Sequence, residues 1–387
     1  MTDFPVWPSF DAARGKKAGM LAWKRVRRLS RMTELLTWPQ MIESLLRGED
    51  LSVAQATWAM EQVMQGKICD AELAGWLIAL RAKGETVEEV VGFRDAVLDN
   101  AVPISITPWA LDIVGTGGDM VGTVNVSTMS SMVIAGSGVP VIKHGGRAAS
   151  AKSGASDVLT ALGAAHGNHS DELVSVFEKT GMTFLSASLF HPGFRHAAAV
   201  RKQLGVSTVF NYLGPLTNPS RAEASAVGCA KREGIPLIVG VFRTRGAAAL
   251  VFRGDDGLDE LTVTGYSRIW EVARGDVAEH DLHPRDVGLG TYPLEDLLGG
   301  TPEENARIFR DTLAGEVTGA IRDIVLLNSA AGMVAYDLAK HPDRVEQPIR
   351  DRLCEKIEVA RETIDSGRAL EQLERFVSAT QTYSQDA

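Results

Sequence analysis

The chain has 387 residues, 45% of them hydrophobic and 23% charged, a balance that excludes global disorder and calls for two domains or one large domain with an appendage. Its net charge of −9 argues against a surface built mainly to neutralise nucleic-acid phosphates. Cys69, Cys229 and Cys354 show neither CxxC nor Cys/His ligand spacing, so disulfides and structural zinc are not expected and a reduced, cytoplasmic setting is.

In chain order, residues 1–36 read as a basic, poorly ordered extension. Arg14, Lys16, Lys17, Lys24, Arg25, Arg27, Arg28 and Arg31 face only Asp3 and Asp11 there, with no apolar core of signal-peptide type. The helical pattern begins at Met32, a second candidate translation start. Residues 37–105 read as a helical domain whose segments carry start signals at Ser52 with Gln55, at Asp70, and at Thr86 with Glu89. Pro103 and Pro108 mark a boundary near 104–110.

Residues 106–387 read as an α/β domain, a mostly parallel sheet wrapped by helices. The pattern runs strand 111–114, helix 127–137, strand 139–142, helix 154–163 and helices near 170–180 and 189–204. Apolar runs at 224–230, 236–241 and 247–252 continue it. Helices around 189–206 are expected to pack on the helical domain, and helices return at Thr301 with Pro302 and Glu304. The apolar stretch Met132 to Ile142 is broken by Gly136, Ser137, Gly138 and Pro140, far short of the roughly 18 residues of a membrane span.

The first strand leads into Gly115, Thr116, Gly117, Gly118 and Asp119. This turn lacks the GK[ST] ending of a P-loop and the GxGxxG spacing of a dinucleotide site. Alone it is a strand-to-loop turn. With Asn125, Ser127 and Thr128 opening a helix it describes a phosphate cradle, because glycines let backbone approach an anion and helix-start N–H groups offer donors. Lys143 and His144, beside Gly145, Gly146 and Arg147, fall at a strand's carboxyl end, where open α/β sheets bind ligands. Lys143 is either a point charge for phosphate or a solvated lysine.

Asp255, Asp256, Asp259 and Glu260 form an acidic turn suited to Mg2+, or a solvated one. His191, Phe194, Arg195 and Arg201 share one broad helical face that suits a flat carboxylated ligand. The alternatives are a helix-capping His191 and an Arg201 paired with a nearby acid.

Together the motifs LIALRAKGET (77–86), DIVGTGGD (112–119), NVST (125–128), KHG (143–145), HPGFRHAAAVRKQLG (191–205), NYLGPLTNP (211–219) and GDDGLDELT (254–262) resemble the anthranilate phosphoribosyltransferase family of tryptophan biosynthesis. The resemblance implies a small helical domain, a larger α/β domain, and a homodimer formed through the helical domain. It implies Mg2+-dependent transfer of the phosphoribosyl group of phosphoribosyl pyrophosphate (PRPP) to the amine of anthranilate, with two Mg2+ ions per site.

By the same resemblance, Gly115, Thr116, Gly117, Gly118, Asp119, Asn125, Ser127, Thr128 and Lys143 would hold PRPP. Ser127, Asp259 and Glu260 would hold the metal. His144, Gly146, His191, Phe194, Arg195 and Arg201 would line the anthranilate pocket. No single acid or base is implied; Lys143, Asp259 and Glu260 would stabilise the transition state. The chain departs from the family pattern at Gly146, where Asn is usual, and at Phe194, Tyr212 and Arg253, all expected on or near the acceptor side. Gly146 keeps open a related acceptor, another amino- or hydroxybenzoate. A nucleoside phosphorylase and a nucleic-acid-binding paralogue are the remaining readings, disfavoured by the carboxylate pair and the net charge.

Overall fold

The computed structural model describes residues 37–147, 152–165 and 169–382; the expectations for 1–36 lie outside the described residues. Four helices, Trp38–Leu46, Val53–Met64, Asp70–Lys83 and Val87–Asp99, open the fold. The Ser52 and Thr86 hydroxyls accept from the amides of Gln55 and Glu89, whose side chains return the bond to the cap amides. At the third helix the cap is Cys69, not Asp70, and the Glu72 carboxylate accepts from the Cys69 amide at 3.1 Å.

Glu89 is fully buried. Its carboxylate accepts from the amides of Leu51 and Thr86 and from Lys83 Nζ, so one charged group ties three segments of the bundle without being left unpaired. Trp76 meets Phe93 edge-on at 5.4 Å in the centre.

The larger domain carries a seven-stranded sheet in the order β3-β2-β1-β4-β5-β6-β7, formed by Leu111–Gly115, Val141–Gly145, Met182–Ser186, Ala224–Gly228, Ala248–Gly254, Ser267–Ala273 and Asp276–Leu282, numbered β1 to β7 in chain order. β3 to β5 pair in parallel across the sheet. β6 and β7 are antiparallel additions. The sequence reading missed β3, the β6–β7 hairpin and the nature of run 236–241, which lies in the helix Ile235–Arg245. All are apolar or mixed stretches too short for periodicity to separate strand from helix.

The 189–204 segment is not one helix. His191-Pro192 interrupts it, leaving Ala187–Phe190, a 3-10 turn Pro192–Phe194 and the helix Arg195–Leu204. Ala197 and Val200 of that last helix belong to the same core as the four opening helices. The approach is close: a Cβ on Gly66 would sit 2.8 Å from the His196 ring.

Adjacent strands β1 and β4 lead away to opposite sides of the sheet, β1 towards β2 and β3, β4 towards β5. That is a topological switch point, which opens a crevice outside the strands' carboxyl ends. Beyond β7 the chain is helical, and Arg352 of the helix Ile349–Asp365 clamps the buried Glu271 of β6 through two bonds, of 2.6 and 2.9 Å. Among the described residues no helix is long and apolar enough to cross a membrane.

The helices Val53–Met64 and Val87–Asp99 touch backbone to backbone at Gly92, where a Cβ would lie 2.6 Å from the Val53 carbonyl oxygen. A Gly92→Ala substitution is therefore expected to destabilise the chain by about 1–3 kcal/mol through overpacking. The measurement is the midpoint of urea unfolding, and an unchanged midpoint would contradict this packing.

Candidate active site

Both central strands end in glycine at the switch point: Gly115 of β1 pairs with Gly228 of β4. Asp259 lies directly over them. A Cβ on Gly228 would fall 1.6 Å from the Asp259 carbonyl oxygen, and one on Gly115 would fall 2.1 Å from its Oδ2. The carboxylate accepts from the Gly117 amide at 2.7 Å, which folds the glycine turn back over the acidic loop. Gly117 and Gly118 take φ of 69° and 83°, and Met120 takes 63°, so the turn depends on left-handed backbone that glycine adopts without penalty.

Of the two donor groups expected, the helix start and the glycine turn, the helix-start amides are already bonded. At the start of the helix Val126–Gly136, Val126 N–H donates to Val124 O, Thr128 N–H to Asn125 O, and the Ser127 amide to Glu260. Among the described residues, the amides of Gly118, Asp119 and Met120 find no acceptor. The anion-ready donors are thus in the turn.

Asn125 is an organiser of this loop. Its amide donates to Ser153 O and accepts from Asn305 Nδ2 and Ser153 Oγ. Thr128 is buried, and Thr116 Oγ1 accepts from Ala230 N–H.

Lys143 is not solvated: it is 1% exposed. Its ammonium donates to Ile113 O and Ser127 Oγ. Burial lowers its pKa to about 8, opposed by the charges of Asp112, Glu260 and Asp259. It is a buried positive centre under the turn.

The carboxylates of Asp259 and Glu260 act on it from the acidic loop. Burial, then the charge of Asp119, raises Asp259 to about 6. Burial and the charge of Asp259 push Glu260 well above the carboxylate range. Asp256, by contrast, is spent on its own loop, accepting from Thr262 and Thr264 hydroxyls and Leu258 N–H. Asp255 is exposed.

A residue the sequence reading missed, Asp112 of β1, is buried and accepts from the His144 amide at 3.0 Å. Burial raises it to about 6. Its only signal was a charge inside the apolar run LDIV.

Beside the turn, aromatic rings form a continuous train: His144 to His191 at 5.1 Å, His191 to Phe194 at 5.1 Å, Phe194 to Phe210 at 5.7 Å, and Arg201 stacked 5.0 Å from the Phe210 centroid. Phe210 was not foreseen. His144 Nδ1 lies 3.1 Å from Gly214 O and His191 Nε2 lies 2.8 Å from Thr217 O; a carbonyl only accepts, so those nitrogens carry the protons. His144 Nε2 and His191 Nδ1 are left as buried lone pairs without partners among the described residues.

The His191 ring is therefore engaged with Thr217 O and makes no capping bond, although the residue precedes the 3-10 turn. Arg201 is held by the ring and lacks an acid partner among the described residues. Arg195 is exposed. Among the described residues, a Cβ at Gly146 would meet only Ala187, at 3.8 Å. Tyr212 and Arg253 do not join this train: Tyr212 packs on Gly234, and Arg253 Nε donates to Ala230 O.

Burial lowers the pKa of His144 to about 3 and of His191 to about 4. Both values lie below the ordinary one of about 6.5, so the unfolded chain takes up the protons. The contribution of the two rings to stability is complete above about pH 6.5 and is lost as pH falls towards their folded values. Imidazole NMR should find both neutral at about pH 5.5, where an exposed histidine is mostly charged; a protonated ring at that pH would refute the burial argument.

The model of the glycosyl transferase family a/b domain matches residues 107–370, and that of the family's helical bundle domain matches 39–101. An anthranilate phosphoribosyltransferase from Leifsonia xyli subsp. xyli is 60% identical over 349 residues, 90% of this chain and 100% of that protein. The crystal structure of the Thermus thermophilus enzyme of that name is 39% identical, with a TM-score of 0.80 over 88% of this chain and 99% of its own. The Saccharomyces cerevisiae enzyme in complex with PRPP and Mg is 30% identical, with a TM-score of 0.79 over 89% and 98%. With the switch-point turn and both domains matched at near-full length, the chain belongs to the anthranilate phosphoribosyltransferase family.

Proposed function

We propose that the chain transfers the 5-phosphoribosyl group of PRPP to the amine of anthranilate, giving N-(5-phosphoribosyl)anthranilate and releasing pyrophosphate. The observation that carries this reading is Asp259 seated on Gly115 and Gly228 with the open amides of Gly118, Asp119 and Met120 beside it. Anion donors and an unneutralised carboxylate group stand back to back, as a phosphate ester bridged by a cation requires.

The residues fit Mg2+. Asp119, Asp259 and Glu260 crowd negative charge that raises their neighbours' pKa values, and a divalent cation relieves that repulsion. Among the described residues no group of three or more His, Cys, Asp or Glu could by itself hold a metal. Two carboxylates, Asp259 and Glu260, with the Ser127 hydroxyl are instead the partial set of an ion that completes its shell with water and substrate phosphate. When bound, Mg2+ would supply charge neutralisation for the departing pyrophosphate; the count of two ions per site follows the family resemblance.

The chain's own residues do the rest. The turn amides bind phosphate oxygens, and Lys143 holds positive potential beneath them. Arg201, its face covered by Phe210, keeps its edge for a carboxylate. The lone pairs of His144 and His191 would accept N–H from an aromatic amine. Such an amine is neutral at pH 7, so ribose transfer needs no strong base, and histidines with pKa values near 3 and 4 are not strong bases.

A second reading keeps PRPP and changes the acceptor to another amino- or hydroxybenzoate. Gly146 favours it, since glycine offers no side chain to select the ring's substituents and, among the described residues, only Ala187 lies within 4 Å of where one would start.

Steady-state assays with PRPP, Mg2+ and a benzoate panel test both readings. Anthranilate should give the highest kcat/KM, and Asp259→Asn should lower it by about 100-fold or more. Turnover of another benzoate with none of anthranilate would replace the first reading by the second. Because Asp259 carries a raised pKa of about 6, protons compete with the cation as pH falls. Calorimetric Mg2+ affinity should therefore weaken from pH 7 to pH 5, and its stoichiometry reads the ion count.

We further propose a homodimer through the helical domain, where Leu46, Val53 and Ile78 are 65%, 40% and 41% exposed. Sedimentation equilibrium should give twice the chain mass, and Ile78→Lys should shift it towards the monomer. A monomeric wild type would end this proposal.

A further inference from the structure

Outside the residues assigned above lies a recess of about 400 Å3 lined by Arg232, Ile235, Arg253, Tyr266, Arg268 and Trp270, with Asp255 and Asp281 at its edge. It opens at the carboxyl end of β5, over the start of the helix Ile235–Arg245. Its volume is that of a small-molecule site.

Charge in this recess is unbalanced. Arg253 of β5 and Arg268 of β6 stand directly opposite each other in the antiparallel pair, an arrangement of like charges that destabilises a sheet. Arg268 is neutralised from the far side, by a two-bond fork to Asp281 at 2.9 and 3.2 Å. Arg253 is not. Its guanidinium donates to the carbonyls of Ala230 and Gly254, and among the described residues neither it nor Arg232 has a carboxylate within ion-pair distance.

With Arg268 engaged by Asp281 and Glu279, the lining charges left without an ion pair among the described residues are Arg232, Arg253 and Asp255. Two aromatic residues line it: Tyr266, 56% exposed with its ring meeting His283 edge-on at 4.9 Å, and Trp270, 5% exposed. Two unpaired guanidinium groups beside an exposed aromatic face suit a planar anion, whose carboxylate takes a guanidinium edge while its ring stacks.

We propose that this recess is a second small-molecule site, for an aromatic carboxylate, separate from the acceptor train around Arg201. It adjoins the glycine turn: the Ala230 carbonyl accepts from Arg253 while its amide donates to Thr116. The site does not depend on which benzoate the enzyme uses.

The test is titration calorimetry of the full chain with indole-3-carboxylate and, separately, with inorganic phosphate. The Arg201→Gln background removes the acceptor pocket as a competing site. In that background indole-3-carboxylate should still bind, and Arg232→Gln should weaken it about tenfold, with Arg232→Gln/Arg253→Gln weakening it further. Arg232 is exposed, so its single variant separates loss of binding from loss of fold. Three results would overturn the proposal: binding abolished by Arg201→Gln alone, affinity indifferent to both arginine variants, or arginine-dependent binding of phosphate without the indole probe.

Discussion

The site depends on one close approach: Asp259 lying on two strand ends that have no side chains. At the switch point of a doubly wound sheet the carboxyl ends of two neighbouring strands diverge, and whatever covers them lines the ligand crevice. Here the cover is a carboxylate, and it reaches the backbone only because β1 and β4 both end in glycine. The same carboxylate takes the Gly117 amide, so the turn and the acidic loop position each other. A side chain at either glycine would push a charged group away from the place where its charge is used.

That approach fixes the electrostatics around it. Burying Asp259 and Glu260 beside Asp119 is unfavourable, and Lys143 offsets only part of it while carrying a desolvation cost of its own. The cluster therefore carries negative charge that Lys143 does not fully offset. Strain of this kind at a functional position is held by the surrounding structure. Here Asn125 locks the next loop to Ser153 and Asn305, and Asp112 pins the His144 amide from below.

Local chemistry was legible in the sequence, and long-range chemistry was not. The capping boxes at Ser52, Thr86 and Thr301, the glycine turn and the parallel sheet all follow from residues a few positions apart. Lys143 is legible as a charge at a strand end, either facing phosphate or solvated, whereas its burial is not, because Ile113 O and Ser127, which draw it inward, come from other elements. Gly228 sits in an apolar run like many others, and nothing near it announces that Asp259 will rest there. Phe210 was missed for the same reason, since its meaning lies in contacts with Phe194 and Arg201.

The two halves of the crevice are held together by different kinds of contact. On the turn side Asp259, Asn125 and Lys143 each bond a second element, so a substitution at any of them disturbs both. On the ring side the contacts are aromatic faces and a stacked guanidinium, with two imidazole lone pairs and the space at Gly146 left unassigned. Ring packing constrains shape and planarity but discriminates weakly between polar substituents, because an unfilled hydrogen-bond position costs little where no protein group waits for it. Under the proposed function, selectivity for a particular benzoate then rests on Arg201 and the two histidines, the groups on that side whose hydrogen bonds are left unmade among the described residues.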